Sequence, residues 1–386
     1  MPKISPGVRL LRSLARAGKK QQSLLTGLLK AVSPGLKPKG RSTTTRSTVA
    51  TKPPRATPSD ARRSARTPQA VAPGRWIASI HRSKHVNAPA PAHPLAYWMY
   101  LPDRRPADGR RHGLPLVVML HGCHQSATQF AQGSRMNQLA ETKGYAVLYP
   151  QQSVTAQAQR CWKWYSRVAQ QGGGETAELA DLIGNVCEHH PIDRRRIYAC
   201  GISAGAGMAA VLALNHPELI AAVALHSGPV FGVARTSAEA IHVMRHGATA
   251  EAEDAIRRVV QGRQRGGAPD RPQPMPLMPA ILIHGEDDRV VHPANQEHIA
   301  RQWMLLNGLP CQGAQGLTVK TAARNKRRNA YELRDYCIGT KPVLRVARIA
   351  GLGHAWSGGD PSLRFNAPAG PDASRMILDF FRMHKR

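Results

Sequence analysis

The sequence predicts an α/β protein with a mostly parallel central sheet and helices on both faces. Short apolar segments alternate along the chain with longer segments of helical periodicity, and this alternation is typical of a parallel sheet. A serine between two glycines stands where one predicted strand passes into a helix, and an aspartate and a histidine follow two later strands. Ligands bind outside the carboxyl ends of the strands in such sheets, which is where these residues fall.

Seven short apolar segments are predicted as strands. They are Tyr97–Leu101, Leu116–His121, Ala146–Tyr149, Ile197–Gly201, Ala222–His226, Ile281–His284 and Leu344–Ile349. The segments predicted as helices are Ala127–Lys143, Glu175–His189, Ser203–Asn215, Ala294–Leu306 and Pro371–His384. The chain of 386 residues exceeds one average domain, but a large α/β sheet can form a single unit of this size.

Ser203 lies at the centre of the motif Gly201-Ile-Ser-Ala-Gly205. A serine on a sharp strand-to-helix turn has strained backbone geometry, and the residues two before and two after it must be small. Gly201 and Gly205 meet this requirement, so we interpret the motif as a nucleophile elbow. The alternative is a glycine-rich turn in which Ser203 only caps the helix.

A nucleophilic serine needs a base that takes its proton and an acid that orients the base. After a serine elbow, the acid comes next along the chain and the histidine last. Asp288 follows the predicted strand Ile281–His284 in a His-Gly-x-x-Asp spacing, and we expect it to be the acid. Its neighbours Glu286 and Asp287 are expected to be solvated turn residues.

His354 lies in a glycine-rich loop after the predicted strand Leu344–Ile349, and we expect it to be the base. The chain has 17 histidines, so chain order and loop context select this one rather than residue type. His121 and His284 also follow strands, and both are expected to shape loops. His226 is expected to be packed or hydrogen-bonded.

Two backbone N–H groups are expected to stabilise the oxyanion that develops when a serine attacks a carbonyl group. One belongs to Ala204, directly after the serine, and the other to Cys123, in the loop after the strand Leu116–His121. The small Gly122 allows the chain to turn at that point. An ordinary strand-to-loop turn is the alternative for this segment.

Six motifs recur together in residues 95–386. They are Leu120-His-Gly-Cys-His-Gln-Ser-Ala-Thr-Gln-Phe, Tyr149-Pro-Gln-Gln, Cys161-Trp-Lys-Trp-Tyr, Gly201-Ile-Ser-Ala-Gly-Ala, His284-Gly-Glu-Asp-Asp and Gly351-Leu-Gly-His-Ala-Trp-Ser-Gly-Gly. In combination they resemble the poly(3-hydroxybutyrate) depolymerase family of esterases, relatives of feruloyl and acetylxylan esterases. The resemblance implies an α/β-hydrolase fold and a serine carboxylesterase with a triad of Ser203, Asp288 and His354. Cys123 and Ala204 match the oxyanion donors of the family.

The first 75 residues differ from the rest of the chain in charge. They contain 17 Lys and Arg and one acidic residue, Asp60, and so carry +16 of the net charge of +30. We expect this leader, residues 1–75, to be largely disordered. A basic amphipathic helix over residues 8–32 could lie on an anionic surface or a polymer granule, or it could have no partner. Residues 76–386 are the expected catalytic domain.

The stretch near residues 232–275 is rich in Arg and Gln, and this sequence replaces any familiar compact lid over the site. We expect a cap-like insertion at about 230–276 of the sequence. It leaves the identity of the substrate open but does not affect the proposed chemistry.

Six cysteines can pair in several ways. Cys123 and Cys161 fall in loops that should flank the site, and a bridge between them would stiffen the oxyanion loop. The alternative is six reduced thiols, which the missing signal peptide favours.

Trp162 and Trp356 lie close to the motifs in a chain with few aromatic residues. We expect them to line an apolar pocket for an acyl or hydroxyalkanoate chain. Core packing under long loops is the alternative.

Several classes of site have no signature in the sequence. It shows no Cys-x-x-Cys motif, no phosphate loop and no dinucleotide fingerprint, so neither a metal nor a cofactor is expected. It also shows no apolar run long enough to cross a membrane and no ordinary secretion signal. A cytoplasmic or granule-associated location is therefore expected, while the resemblance keeps an extracellular one open.

The expected function is hydrolysis of poly(3-hydroxyalkanoate) or similar short-chain esters through an acyl-enzyme intermediate. A feruloyl or acetylxylan-type esterase is the alternative within the same chemistry. A different class is a polyanion- or granule-binding protein with a decayed hydrolase domain, since a charge of +30 favours salt-dependent, non-specific nucleic-acid binding. The charge is concentrated in the leader, however, and no specific nucleic-acid motif is present, so the esterase is favoured.

Overall fold

The computed structural model describes residues 72–83, 94–104, 111–248, 251–266, 276–310, 316–320 and 329–386. Nearly all of the basic leader, including the helix predicted over residues 8–32, lies outside these residues. The unit they form extends from Ala72 to Arg386, so it begins slightly before the predicted boundary at residue 76.

The secondary structure of the described residues follows the predicted alternation. The strands are β1 (Arg75–His81), β2 (Leu95–Leu101), β3 (Leu114–Leu120), β4 (Ala146–Pro150), β5 (Ile192–Ile202), β6 (Ala222–His226), β7 (Ala280–Gly285), β8 (Gly316–Lys320), β9 (Tyr331–Ile338), β10 (Lys341–Ile349), β11 (Trp356–Ser357) and β12 (Asn366–Ala367). The helices are α1 (Ala127–Ser134), α2 (Met136–Lys143), α3 (Arg167–Gln170), α4 (Glu175–His189), α5 (Ala204–Asn215), α6 (Ser237–His246), α7 (Glu251–Gly266), α8 (Ala294–Leu306) and α9 (Ala373–Phe381).

The main sheet has ten strands in the order β1-β2-β4-β3-β5-β6-β7-β10-β9-β8. The six strands from β4 to β10 in this order are parallel, and the pairs at either edge are antiparallel. The mostly parallel sheet predicted from the sequence is therefore confirmed. Its carboxyl ends bring the loops after β3, β5, β6, β7 and β10 to one edge.

The sheet is buried on both faces, as the near-continuous apolar strands require. In β3, Leu116, Val118 and Leu120 belong to one core, which α4, α5 and α8 cover. Val117 and Met119 belong to the other, which α1, α2 and α9 cover. Helix α5, which follows the candidate serine, is buried along nearly its whole length and is apolar all round.

The helix predicted over Ala127–Lys143 is broken in two. Ser126 caps α1 with a capping box, in which its side chain accepts from Gln129 N–H and the Gln129 side chain accepts from Ser126 N–H. Arg135 adopts the left-handed conformation, with φ 56°, and ends α1 before α2 begins. Arginine is a good helix former, so the residue at which the helix breaks does not signal the break, whereas Gly133 and Ser134 just before it are poorer helix formers.

The cap-like insertion expected at about 230–276 forms α6 and α7 in its described part. Two buried amides on α8 hold it in place. Asn295 Nδ2 donates to the Val243 carbonyl at 3.0 Å, and Gln302 Nε2 donates to the Ala252 carbonyl at 2.7 Å. The insertion thus extends the helical layer beside α8, and a role as a cap over the site stays a prediction.

Helix α5 passes very close to the end of β3, and this approach places the candidate serine. A Cβ on Gly205 would lie 2.0 Å from the Leu120 carbonyl oxygen and 2.6 Å from that of His121. Real Cβ atoms do not approach oxygen so closely, so any larger residue at this position forces the helix away from the sheet.

We therefore expect Gly205→Ala to lower the free energy of unfolding by roughly 2–3 kcal/mol, because the added methyl overpacks a rigid backbone contact. Urea denaturation measures the change. Gly184→Ala in α4 is the matched control, since a Cβ there meets nothing within 4 Å. The control should stabilise the helix by roughly 0.5–1 kcal/mol. Equal effects of the two substitutions would contradict the close approach.

Candidate active site

Ser203 occupies a strained turn between β5 and α5, as the elbow interpretation requires. Its backbone angles are φ 57° and ψ −125°, a conformation that costs a non-glycine residue about 1–3 kcal/mol. A backbone hydrogen bond to the neighbouring strand β6 stabilises the turn: Ser203 N–H donates to the His226 carbonyl at 3.0 Å. It closes only with glycine at position 201, where a Cβ would lie 2.3 Å from Gly205 backbone atoms. The elbow thus presents Ser203 at the carboxyl edge of the sheet.

Asp288 and His354 meet at the same edge. The Asp288 carboxylate is 2% exposed, and its Oδ2 accepts from His354 Nδ1 at 2.8 Å. Its Oδ1 accepts from Val290 N–H and Val291 N–H, each at 2.9 Å. Burial by itself raises the pKa of this carboxyl group, but the adjacent His354 charge and these hydrogen bonds outweigh it and bring the pKa to about 2. Asp288 is therefore an ionised acceptor at neutral pH.

The protonation of His354 follows from that pairing. An ionised carboxylate can only accept, so Nδ1 carries the proton and Nε2 keeps the lone pair that a general base needs. Among the described residues, no hydrogen bond joins His354 Nε2 to Ser203 Oγ; such contacts are often long in free enzymes. Glu286 and Asp287 are exposed, as expected for turn residues.

The His354 loop and the serine elbow share one support. His226 accepts the Ser203 amide through its backbone carbonyl, and its ring Nε2 accepts from Ser357 N–H at 3.2 Å. Ser357 follows His354 by three residues. One residue thus contacts both the serine elbow and the segment that follows His354.

Both predicted oxyanion donors lie next to the serine. Ala204 is the first residue of α5, so its N–H has no acceptor within the helix and stands at the positive end of the helix dipole. On the other side, an added Cβ on Gly122 would lie 3.4 Å from Ser203 Cβ. The peptide that links Gly122 to Cys123 is therefore adjacent to the nucleophile.

A disulfide joins Cys123 to Cys161, with Cα atoms 4.3 Å apart. The same two loops also share a backbone hydrogen bond, from His124 N–H to the Gln159 carbonyl at 2.7 Å. The bridge proposed from the sequence is confirmed, and the alternative of six reduced thiols is excluded. Cys187, Cys200 and Cys337 are free, and Cys311 lies outside the described residues.

The two tryptophans predicted to line the pocket pack in the core instead, as the alternative interpretation had it. Trp356 is 1% exposed: its ring stacks on His226 with centroids 5.0 Å apart, and its indole N–H donates to Ser374 Oγ. Trp162 is also 1% exposed, and its ring lies 5.7 Å from that of His121. Both rings shield buried imidazoles from water, which is why they are not available to line a pocket.

Three buried histidines close the strands that carry the site. His121 follows β3 and contacts the Gly122 carbonyl through Nδ1 at 2.8 Å, while His284 in β7 donates from Nε2 to the Val291 carbonyl at 2.8 Å. His226 ends β6. Burial lowers the pKa of His121 to about 4 and that of His226 to about 3, and it also lowers the pKa of His284. All three are neutral at physiological pH; His121 and His284 bond to loop backbone, as expected for loop-shaping residues, and His226 is packed and hydrogen-bonded, as expected for it.

Sequence reasoning missed two residues that support the oxyanion loop. Gln152 N–H donates to His121 Nε2 at 3.1 Å, and its side-chain amide donates to Glu175 Oε1 at 2.7 Å. Glu175 also accepts from Lys163 N–H at 2.7 Å, and desolvation raises the pKa of its carboxyl group. In the sequence, these contacts are signalled only by the Gln-Gln pair after β4, part of the motif Tyr149-Pro-Gln-Gln, and no function was predicted for that pair.

Within the described ranges, no group of three His, Cys, Asp or Glu side chains is arranged to hold a metal ion. None of the helices in that part of the chain is long and apolar enough to cross a membrane.

The lowered histidine pKa values predict a specific acid sensitivity. In the unfolded chain the imidazoles of His121 and His226 regain their ordinary pKa of 6.5, so below pH 6.5 the unfolded state binds more protons than the folded state. Their contribution to stability is complete above pH 6.5 and is lost as the pH falls towards 4. Each imidazole contributes a slope of up to about 1.4 kcal/mol per pH unit.

Urea denaturation at a series of pH values between 7.5 and 4 checks this expectation. The Asp288 carboxyl group changes stability in the same direction but at lower pH: its folded pKa of about 2 lies below the ordinary 3.8, so its contribution is lost only in stronger acid. His226→Gln should reduce the slope above pH 4. A free energy of unfolding that stays constant from pH 6.5 to 4 would show that the imidazoles are not buried as neutral groups.

The chain is similar in sequence to a known protein family and to several curated proteins. The family model described as "Esterase PHB depolymerase" matches residues 95–326. Poly(3-hydroxyalkanoate) depolymerase C of Paucimonas lemoignei is 29% identical over 261 residues, which are 67% of this chain and 58% of that protein. Probable acetylxylan esterase A of Neosartorya fischeri is 27% identical over 241 residues, 62% of each chain. This chain thus spans about three fifths of the length of these two curated relatives.

A solved structure shows the same fold. The acetyl xylan esterase from Aspergillus awamori aligns with a TM-score of 0.60 and 19% sequence identity, covering 80% of this chain and 99% of that one. The α/β-hydrolase fold expected from the motifs is thereby confirmed. Because the family model extends over more than half of the sequence, the family resemblance is confirmed as well: the chain belongs to the esterase PHB depolymerase family.

Proposed function

We propose that this protein is a serine esterase that cleaves poly(3-hydroxyalkanoates) or related short-chain esters through an acyl-enzyme intermediate. One observation carries the proposal: an ionised, buried Asp288 holds His354 in the tautomer of a general base beside a serine elbow. Family membership and the names of the curated relatives, a poly(3-hydroxyalkanoate) depolymerase and acetylxylan esterases, support it.

Acylation follows from the positions of these groups. Ser203 Oγ attacks the ester carbonyl carbon while His354 Nε2 takes the hydroxyl proton. The carbonyl oxygen becomes an oxyanion, which accepts hydrogen bonds from the amides of Cys123 and Ala204. When the tetrahedral intermediate collapses, the carbon–oxygen bond to the alcohol breaks and the imidazolium returns its proton to the leaving oxygen. The acyl group remains on the serine.

Deacylation repeats the sequence with water. His354 takes a proton from a water molecule, whose oxygen attacks the acyl carbon. When the second tetrahedral intermediate collapses, the bond from the acyl carbon to Ser203 Oγ breaks, the imidazolium returns its proton to that oxygen and the carboxylic acid is released. Asp288 stays ionised throughout and stabilises the imidazolium that forms in each half-reaction. Its two backbone hydrogen bonds keep the carboxylate aligned with Nδ1.

Acetylxylan and feruloyl esterase activity is a second candidate, which the names of several relatives support. Besides the acetylxylan esterases, feruloyl esterase B of Thermothelomyces thermophilus is 25% identical over 221 residues, 56% of this chain and 71% of that protein. Release of 3-hydroxybutyrate from polymer, acetate from acetylated xylan and ferulate from feruloylated sugars, compared at equal enzyme concentration, separates the two candidates.

We propose further that residues 1–75 attach the enzyme to a polymer granule or an anionic surface. Their 17 basic residues against one acidic residue support this attachment. Sedimentation with polymer granules and with vesicles containing anionic lipid measures it, for the full chain and for a variant lacking residues 1–71. Equal sedimentation of the two proteins would overturn it.

Replacing the nucleophile tests the reaction itself. Ser203→Ala is expected to lower kcat for p-nitrophenyl butyrate by about 10⁴-fold or more, because no other group forms the acyl-enzyme. The KM should change little. Spectrophotometric measurement of the released p-nitrophenolate gives the rate.

The control for this substitution is Ser79→Ala, on the exposed edge strand β1. It should retain wild-type activity, which separates loss of the nucleophile from a general effect of removing a serine. Full activity of Ser203→Ala would show that the elbow is not the catalytic centre.

A further inference from the structure

The direction of the Cys123 N–H is set by the carbonyl group of Gly122, which belongs to the same peptide bond. The carbonyl of Gly122 and the N–H of Cys123 belong to the same planar trans peptide, so they point in opposite directions within one plane. A hydrogen bond that holds the Gly122 carbonyl therefore also sets where the Cys123 N–H points. The donor of that bond is His121, a residue that takes no part in the reaction described above.

Only one tautomer of His121 fits its surroundings. Its Nε2 lies 3.1 Å from the backbone nitrogen of Gln152 and 3.2 Å from the side-chain nitrogen of Gln151, and both of these nitrogens are donors. Nε2 must therefore accept, and the single proton of the neutral ring is on Nδ1. That proton is donated to the Gly122 carbonyl, 2.8 Å away.

The rest of the Gly122 backbone is held by Gln125. Gly122 N–H donates to Gln125 Oε1 at 2.8 Å, and Gln125 N–H makes a longer contact of 3.3 Å to the Gly122 carbonyl. These atoms are buried, so water does not compete for them. The two peptide groups on either side of the Gly122 Cα are therefore both hydrogen-bonded.

His121 is in turn held by residues anchored to the main body of the fold. Gln152, which donates to its Nε2, is fixed by Glu175 at the start of α4, and Trp162 covers the ring. Glu175 also accepts from Lys163 N–H, next to Trp162. The chain of contacts runs from a helix end through Gln152 and His121 to the oxyanion loop.

We propose that His121 is a positioning residue for the oxyanion site, whose Nδ1–H orients the Gly122–Cys123 peptide so that the Cys123 amide faces the ester carbonyl oxygen. The inference rests on the proposed esterase function. Since the full negative charge exists only in the tetrahedral transition state and intermediate, His121 acts on kcat and leaves KM nearly unchanged.

Two substitutions distinguish the contribution of His121 Nδ1 from that of His121 Nε2. In His121→Asn the side-chain amide takes the place of Nδ1 and can still donate to the Gly122 carbonyl. In His121→Gln the longer side chain places its amide near Nε2 and loses that contact, although it fills the space better. A purely structural role predicts that glutamine is tolerated at least as well as asparagine; the positioning role predicts the reverse.

The expected kcat for p-nitrophenyl butyrate is within about tenfold of wild type for His121→Asn and about 10²–10³-fold lower for His121→Gln, the loss typical of one oxyanion donor. The KM should differ from wild type by less than about threefold in both variants. The Ki of a butyl boronic acid, which forms a tetrahedral anion on the serine, should rise in parallel with the loss of kcat. His189→Gln, at the exposed end of α4, is the matched control and should behave as wild type.

Equal losses in the two variants, or a change confined to KM, would overturn the proposal. The ring of wild-type His121 provides a test that needs no substitution: ¹⁵N NMR should show a neutral imidazole protonated at Nδ1, and a proton on Nε2 would overturn the proposal even if a variant failed to fold. Failure of the proposed function is distinguished by Ser203→Ala, which would then remain active whatever the His121 variants do.

Discussion

The arrangement of the candidate active site depends on hydrogen bonds that uncharged imidazoles donate or accept. His121, His226 and His284 end or follow three strands of the sheet, and each bonds to backbone of a different loop: the oxyanion loop, the His354 loop and the Asp288 loop. An imidazole suits this task because one ring nitrogen donates while the other accepts. Buried among aromatic and apolar side chains, these rings make bonds for which water does not compete, so the loops keep one geometry.

The buried carboxylate of the candidate active site lies where its charge is compensated. The Asp288 carboxylate receives two backbone N–H donors and the imidazole of His354, which together outweigh the cost of removing it from water. His284 Nε2 lies 3.6 Å from the same carboxylate, but it donates its hydrogen bond to the Val291 carbonyl. The acid is therefore directed at one histidine, and the second imidazole adds support for the loop without competing for the role of base.

Features whose cause is local could be predicted from the sequence, and features that depend on distant contacts could not. The elbow was predictable because the close backbone contacts of its turn require glycine at positions 201 and 205, and both lie within one five-residue motif. Chain order then identified Asp288 and His354. The break at Arg135 and the burial of Trp356 were not, since an arginine favours helices and a tryptophan beside a loop suits a core as well as a pocket. The contact of Gln152 with His121 joins residues 31 apart in the chain, and only the folded sheet brings them together.

The Cys123–Cys161 disulfide makes the stability of the folded protein depend on the redox conditions under which the chain is produced. It closes a ring of 38 residues that contains β4, and a ring of this size stabilises a folded chain by about 4 kcal/mol in the chain-entropy model. The glutathione pool of a typical cytosol keeps such pairs as thiols. Protein prepared there would carry an unclosed ring at Cys123, the residue proposed to supply an oxyanion donor, so recombinant material should be oxidised, or exported to an oxidising compartment, before its activity is judged.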